Sequence, residues 1–347
     1  MKPYTLGIIG AGMIAEEHLK AFKKTNKTII KWSARKDKSQ LPDFQNKYEI
    51  LNGTADYREI LNDDEVDAVI ITSPPHTHYA MFMDTVKAKK HVLLEKPAAI
   101  HPGELTEMVA ETKKHPDLII CDCSARHTRL QPKYKKTKEI IDSGILGQIY
   151  YLHHNAVNRQ RRPGIEYHPA AKWFTDESRA GGGPLIDWGV YDLSFHLGLL
   201  GDNVRLEKIN DLFIQSNLDN YHDNNNVTDV EESFTAMLEF SGGIKYYWER
   251  AAHANMETMN ETRVYGTRGG LKLNFCTWDP DIIYHYYLDN QNISRVKEIQ
   301  VDTSKQNDHE ALANHFIDLL EKKSSPAMSL ELAAKHLEII FKLYGKV

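Results

Sequence analysis

Cysteine is scarce: three residues, Cys121, Cys123 and Cys276, in a chain of 347. So small and odd a set is no disulfide framework, which excludes a small secreted domain held by bridges. Cys121 and Cys123 sit two apart on an expected strand, too close in sequence for an easy bridge. A reducing cytoplasm is therefore the expected compartment. Long apolar runs are missing as well, so no membrane-spanning segment is expected. The lead Met1-Lys2-Pro3 passes straight into a strand pattern without the look of a secretory signal. Basic excess is the third absence. Lys and Arg number 43 against 48 Asp and Glu, a formal charge of −5, and phosphate-backbone binding needs a clustered positive surplus. Nucleic acid is therefore not an expected partner. The one basic run, Lys133-Tyr134-Lys135-Lys136-Thr137-Lys138, lies on a helical pattern and reads as a solvated face. There is no internal repeat.

What is present is an ordinary globular composition, 41% hydrophobic, in a chain long enough for two domains. The first apolar run breaks into Gly10-Ala11-Gly12-Met13-Ile14-Ala15, and a helical pattern follows at once through His18, Leu19 and Phe22. Strand, glycine turn and helix in that order suit a dinucleotide pyrophosphate. Gly10 allows the tight turn, Gly12 lets the backbone approach the phosphates, and the helix start at Met13 and Ile14 offers free N–H groups and a positive dipole end. Further strands are expected at Thr28–Ser33, Ala68–Ile71, His91–Leu94 and Leu118–Cys121, alternating with helices near Tyr57–Leu61, His78–Ala88 and Pro102–Lys114. That alternation predicts a doubly wound parallel sheet over residues 1–122.

Past Cys123 the texture changes. A helix at Pro132–Asp142 precedes long alternating strands at Gln148–Val157, Ser233–Phe240, Ile244–Ala251, Thr262–Tyr265 and Gly270–Phe275. These predict an α+β domain over 123–347, built on a largely antiparallel sheet open on one face. The polar stretch Asn217–Thr228 reads as a loop, and helices at His309–Lys322 and Leu330–Leu343 close the chain. The aromatics Tyr246, Tyr247 and Trp248 suggest that a second subunit covers the sheet, giving a homodimer or homotetramer.

Two segments carry chemistry. Glu95-Lys96-Pro97 follows an expected strand, and a lysine there lies where open α/β sheets bind ligands; proline after it suits a fixed backbone, a cis bond included. Later stands Gly181-Gly182-Gly183-Pro184-Leu185-Ile186-Asp187-Trp188-Gly189-Val190-Tyr191. The glycines read as a close-approach loop. Asp187 and Tyr191, four apart on an expected helix, share one face: a proton-transfer pair, or a core tyrosine bonded to an aspartate. His153 and His154 point to opposite faces of a strand, and His76 and His78 lack a third ligand at a recognisable spacing, so no metal is expected.

Taken together, the glycine turn, Thr72-Ser73-Pro74-Pro75-x-x-His78, Glu95-Lys96-Pro97, Gly181 through Asp187 and Val264-Tyr265-Gly266-Thr267-x-Gly269 resemble the Gfo/Idh/MocA oxidoreductase family over nearly the whole chain. The resemblance implies an enzyme moving a hydride between a nicotinamide and a carbinol carbon of a sugar, cyclitol or related polyol. It makes Ser73, Pro74, His78, Glu95 and Lys96 cofactor-side residues. Lys96 would also hold the reacting hydroxyl, and Asp187 a neighbouring one. Tyr191 stands where many members carry His, as in a minority of the family, and is the expected general acid/base, its pKa of about 10 lowered by the Lys96 charge. Arg162, in the loop Asn158–His168, lies on a segment that runs towards the active-site mouth in the family. Trp173 after that loop, and His127 in His127-Thr128-Arg129, are further substrate-side expectations.

Cofactor choice is read after the second strand. NAD enzymes place an acid there for the ribose hydroxyls. This chain reads Lys31-Trp32-Ser33-Ala34-Arg35-Lys36-Asp37, and Ser33 with Arg35 suit a 2′-phosphate, so NADP is preferred to NAD. A retaining glycosidase or epimerase that oxidises transiently, and a non-catalytic cofactor sensor, are the alternative readings.

Overall fold

Strands apolar at consecutive positions need cover on both faces, and those of the first third have it. The computed structural model describes residues 2–158, 171–216, 229–252, 254–276, 278, 280–304 and 307–347. The chain forms two compact units, Met1–Arg126 with Asn307–Lys335, and His127–Gln306 with His336–Val347.

The first unit carries β1 (Tyr4–Ile9), β2 (Thr28–Ala34), β3 (Asn52–Thr54), β4 (Ala68–Ile71), β5 (His91–Leu94) and β6 (Ile120–Asp122). They make one sheet in the order β3-β2-β1-β4-β5-β6, every pair parallel. Helices α1 (Met13–Lys24), α2 (Leu41–Tyr48), α3 (Arg58–Leu61), α4 (His78–Lys87) and α5 (Pro102–Lys114) cross over between them. Every residue of β4 is buried, and α1 buries Ala15, His18, Leu19 and Phe22, the spacing of one helical face. Strand order reverses between β1 and β4, so the turns leaving these two strands open a crevice.

The second unit carries α6 (Pro132–Asp142), β7 (Ile149–Val157), α7 (Glu177–Ala180), α8 (Pro184–Asp187), α9 (Gly189–Leu200), β8 (Leu206–Ser216), β9 (Glu231–Phe240), β10 (Ile244–Ala251), β11 (Met259–Gly266), β12 (Gly269–Leu273), β13 (Ile282–Leu288) and β14 (Ser294–Gln300). The sheet order is β14-β13-β12-β11-β7-β10-β9-β8, antiparallel except for the β7–β10 pair. Its inner face packs on α9, which is buried all round from Gly189 to Leu199, its polar Asp192, Ser194 and His196 included. Phe195 of α9 stacks on Phe275 at 4.9 Å. The expected aromatic patch divides here, because strand side chains alternate. Tyr246 and Trp248 are fully buried on the inner face, and only Tyr247 joins the half-buried Tyr151, His153 and Tyr265 on the other.

The first compact unit runs to Arg126 and takes in Asn307–Lys335 as well. The cause is α10 (Asp308–Leu320), whose Phe316 packs edge-on against Phe22 of α1 at 6.2 Å, while Met328, ahead of α11 (Leu330–Leu343), accepts from Asp122 N. Lys133 is not on a solvated face. It is fully buried, and its ammonium donates to the carbonyl oxygens of Asn274, Cys276 and Pro280. The expected loop Asn217–Thr228 lies outside the described residues. Among those described, no helix is long and apolar enough to cross a membrane.

Candidate active site

The turn after β1 is built for close approach. Gly10 adopts φ +99°, and a Cβ there would lie 2.5 Å from Ser73 N, so no side chain fits. Gly10 N and Ala11 N donate to Ala34 O at 2.9 and 3.0 Å, and Thr72 Oγ1 donates to Gly10 O at 2.9 Å. The turn is thus tied to the ends of β2 and β4. Gly12 precedes α1 without any side-chain cap, with Met13 exposed and Ile14 half-buried. An uncapped twelve-residue helix beside a bare glycine turn fits a pyrophosphate.

Arg35 joins this turn, its Nη1 donating to Ala11 O at 2.6 Å. Ser33 does not. It sits one residue inside β2, paired with Ile8 and Gly53, and is fully buried, so it cannot receive a 2′-phosphate. Asp37 is committed to Ser39 and Gln40.

Ser73 and Pro74 are half-buried beside Gly10. His78, expected to contact cofactor, is fully buried and places a ring nitrogen 2.8 Å from each of Ser73 O and Pro97 O. It braces the turn after β4 against the turn after β5, where the Lys96–Pro97 bond is cis. Glu95 is likewise a brace, 5% exposed. It accepts from Arg126, from His18 Nε2 at 2.8 Å and from Lys96 N at 3.1 Å. Burial works to raise the Glu95 pKa, but Arg126 and His18 outweigh it and hold the carboxyl well below its usual range. Lys96 itself is half-buried. His18, Glu95 and Cys123 bring ligand-type atoms within 4.8 Å of one another. Arg126 pairs with Glu95, and burial pushes the Cys123 thiol well up.

In the second unit the glycine run approaches its own chain. A Cβ on Gly183 would lie 1.9 Å from Glu231 O. The Glu231 carboxylate accepts from Gly183 N at 2.7 Å, Leu185 N at 2.8 Å and Tyr344 Oη at 2.9 Å, capping α8. Asp187 and Tyr191 do not share one unbroken helix, since α8 ends at Asp187, Trp188 intervenes and α9 starts at Gly189. Tyr191 N instead donates to Trp188 O at 2.8 Å. Tyr191 is 1% exposed, with its ring 5.0 Å from His127 and 5.2 Å from Trp188. Half-buried Asp187 lines a small cleft with Asn158, Trp188 and Arg250.

His127 packs against Trp188 and Tyr191, Trp173 stacks on Phe174 at 3.9 Å, and Arg162 lies outside the described residues. Trp188, Arg250 and Trp278 are additions that the sequence reading lacks. Trp188 was readable from its place beside Asp187, while Trp278 follows no periodic pattern.

A parallel sheet with a bare glycine turn at its switch point, followed by a mostly antiparallel α+β unit, defines a dinucleotide-binding oxidoreductase. Residues 4–122 match the oxidoreductase family with an NAD-binding Rossmann fold, and residues 134–272 match the GFO/IDH/MocA C-terminal domain. The chain belongs to the Gfo/Idh/MocA oxidoreductase family. It is 25% identical over 349 residues to trans-1,2-dihydrobenzene-1,2-diol dehydrogenase of Homo sapiens, covering 98% of this chain and 96% of that protein. It is 28% identical over 203 residues to the uncharacterized oxidoreductase YrbE of Bacillus subtilis, where the match spans 58% of this chain and only 55% of the relative. Levoglucosan dehydrogenase in complex with NADH and levoglucosan has the same fold, with TM-score 0.85, 17% identity, and coverage of 99% of this chain and 97% of that one.

Proposed function

We propose that the protein oxidises a carbinol of a neutral sugar- or cyclitol-like polyol, or reduces the matching carbonyl, with NADP preferred to NAD. The observation that carries this reading is Tyr191, a buried phenol walled by His127 and Trp188, four residues beyond a cleft-lining carboxylate at Asp187 by way of one helix break. The substrates named for levoglucosan dehydrogenase and the diol dehydrogenase, both polyhydroxy ring compounds, support it.

The nicotinamide supplies or accepts the hydride when bound. The chain's own part is acid–base and positioning chemistry. Gly10, Gly12, Met13 and Ile14 hold the pyrophosphate, with Ser73 and Pro74 beside them. Lys96 holds the reacting hydroxyl through its ammonium, Asp187 accepts from a neighbouring hydroxyl, and Tyr191 relays the proton that the carbinol oxygen loses or gains. His127 is on the substrate side of Tyr191. A screen of sugars, deoxysugars and cyclitols with both cofactors, followed by nicotinamide absorbance, tests the reading. Turnover of a sugar without net absorbance change would replace it by transient oxidation in a glycosidase or epimerase.

The preference for NADP rests on Arg35 beside the glycine turn and on the absence of an acid at the end of β2. A charge-assisted bond to a 2′-phosphate contributes about 1.5–3 kcal/mol, or roughly tenfold or more in affinity. Arg35→Ala should therefore weaken NADPH binding by about that factor and leave NADH nearly unchanged. Equal loss for both cofactors, or tighter NADH binding by the parent protein, would remove the preference.

The outer face of the second sheet, with Tyr151, Tyr247 and Tyr265 half-buried, favours a homodimer or a dimer of dimers. Light scattering should return at least twice the chain mass; a monomer at micromolar concentration speaks against it. The buried free thiols of Cys121, Cys123 and Cys276 favour a reducing compartment, the cytoplasm.

A further inference from the structure

Among the described residues, Trp278 is the one large aromatic of the Tyr191 cluster that is mostly exposed, at 61%. Its ring packs perpendicular to its neighbours, 5.4 Å from His127 at 79° and 5.9 Å from Trp188 at 84°. His127 and Trp188 in turn flank Tyr191. The indole therefore extends an aromatic wall that begins at the proton-transfer phenol and ends at the surface.

Described residues on either side of Trp278 in the chain are held by one buried ammonium. Lys133 is fully buried, and its ammonium donates to the carbonyls of Asn274 at 3.1 Å, of Cys276, and of Pro280 at 3.2 Å. These three carbonyls bracket Trp278 on both sides. Asp281, 3.8 Å from the same ammonium, also accepts from Thr303 Oγ1 at 2.7 Å. Burying a lysine is unfavourable unless its donors are used, and here they are used on one surface loop. Such an anchor holds Cys276 and Pro280, two residues to either side of Trp278, and the packing on His127 and Trp188 holds the ring.

The geometry points to Trp278 as the platform on which the substrate's ring lies, and to ring-closed sugars or cyclitols as the class this site selects over open-chain polyols. The inference rests on the polyol reading above. A pyranose or cyclitol presents a face of axial C–H groups carrying slight positive charge, and the indole face is the negative side of its quadrupole. An open-chain polyol presents no such flat patch, and it loses rotational freedom on binding that a ring has already given up. Lys133 is a positioning residue, acting through the loop; Trp278 meets the ring.

The test uses the full chain with either cofactor, titrated with methyl β-D-glucopyranoside and myo-inositol as ring probes and D-sorbitol as the open-chain probe. Binding is read by saturation-transfer NMR and tryptophan fluorescence. At least one ring probe should bind more tightly than sorbitol, with its axial C–H protons the most strongly saturated. Trp278→Ala should weaken that probe about tenfold or more and sorbitol less than twofold, and Trp278→Phe should keep most of the affinity. Lys133→Met should reproduce the Trp278→Ala pattern in milder form, with an unchanged dissociation constant for the cofactor. Ring-probe affinity unchanged in Trp278→Ala, or sorbitol binding as well as the rings, overturns the platform and leaves the polyol reading standing. Failure of all three probes to bind the parent protein with either cofactor removes the polyol reading itself, and the platform with it.

Discussion

Tyr191→Phe and Lys96→Met should each lower kcat/KM by about 10²–10⁴, the usual cost of removing a general acid/base, with the lysine loss at least as large. Neither should change the cofactor dissociation constant appreciably. In the proposed reading the turn at Gly10 and Gly12 and the start of α1 hold the dinucleotide, and the backbone around Lys96 is fastened independently, through Glu95 accepting from Lys96 N. Tyr191→His should retain more activity than Tyr191→Phe, because imidazole still carries a proton. The wall formed by His127 and Trp188 keeps a ring in that place in either variant. Steady-state kinetics on the best substrate from the screen, with NAD(P)H fluorescence titration beside it, separates the two effects. If Tyr191→Phe turns over like the parent, the phenol is structural and the proton takes another route.

Much of this was legible in the sequence because its signals are local. A run such as Ala68–Ile71 is apolar at four consecutive positions and became β4 with the expected ends. The glycine turn after β1 needs only its own backbone and two neighbouring strands. Lys96, Asp187 and Tyr191 were singled out by the resemblance, and their roles remain those proposed above. What failed was tertiary. Glu95 and His78 stand in motif positions that suggest ligand contact, yet both are buried braces, because Arg126, His18 and the Ser73 and Pro97 carbonyls reach them from distant parts of the chain. Ser33 is polar and near the strand end, but β2 runs one residue further and carries it inside. Lys133 looked solvated within a run of lysines, and only the fold brings Asn274, Cys276 and Pro280 to it. The short β3, β13, apolar or aromatic on both faces, and β14, exposed at nearly every position, gave too weak a period to find.

The residue after Tyr191 should carry the second large effect, on stability. Asp192 is fully buried on α9 and accepts from Arg250, which it pairs with at 2.5 Å, and from Trp248 Nε1 at 2.8 Å; His154 Nε2 lies 3.3 Å away. His154 and His196 share Thr262 Oγ1 at 3.0 and 2.9 Å, so the charge pair is one end of a polar chain between α9 and the sheet. Removing one partner of a buried pair leaves the other desolvated and unpaired, a loss of about 3–5 kcal/mol. Asp192→Asn should lower stability by that order at neutral pH, read from urea denaturation. Adding Arg250→Met should recover much of it, since no buried charge is then left alone.

The same pair gives the pH dependence. Burial tends to raise the Asp192 pKa, but Arg250 and His154 outweigh it and hold the carboxyl far below its usual range. Its contribution is therefore complete above the unfolded carboxyl pKa of about 4 and is lost as pH falls from there. Glu95 behaves alike in the first unit. Asp122 works the other way: burial pushes it up to about 6, so its contribution is lost as pH rises through that value. Stability should thus fall steeply below pH of about 4 and decline slightly between about 4 and 6. Asp192→Asn should flatten the acid limb and leave the shallow decline in place. A variant that unfolds at the parental urea midpoint, with an unaltered acid limb, would mean that Arg250 finds another partner and that the pair does not hold α9 on the sheet.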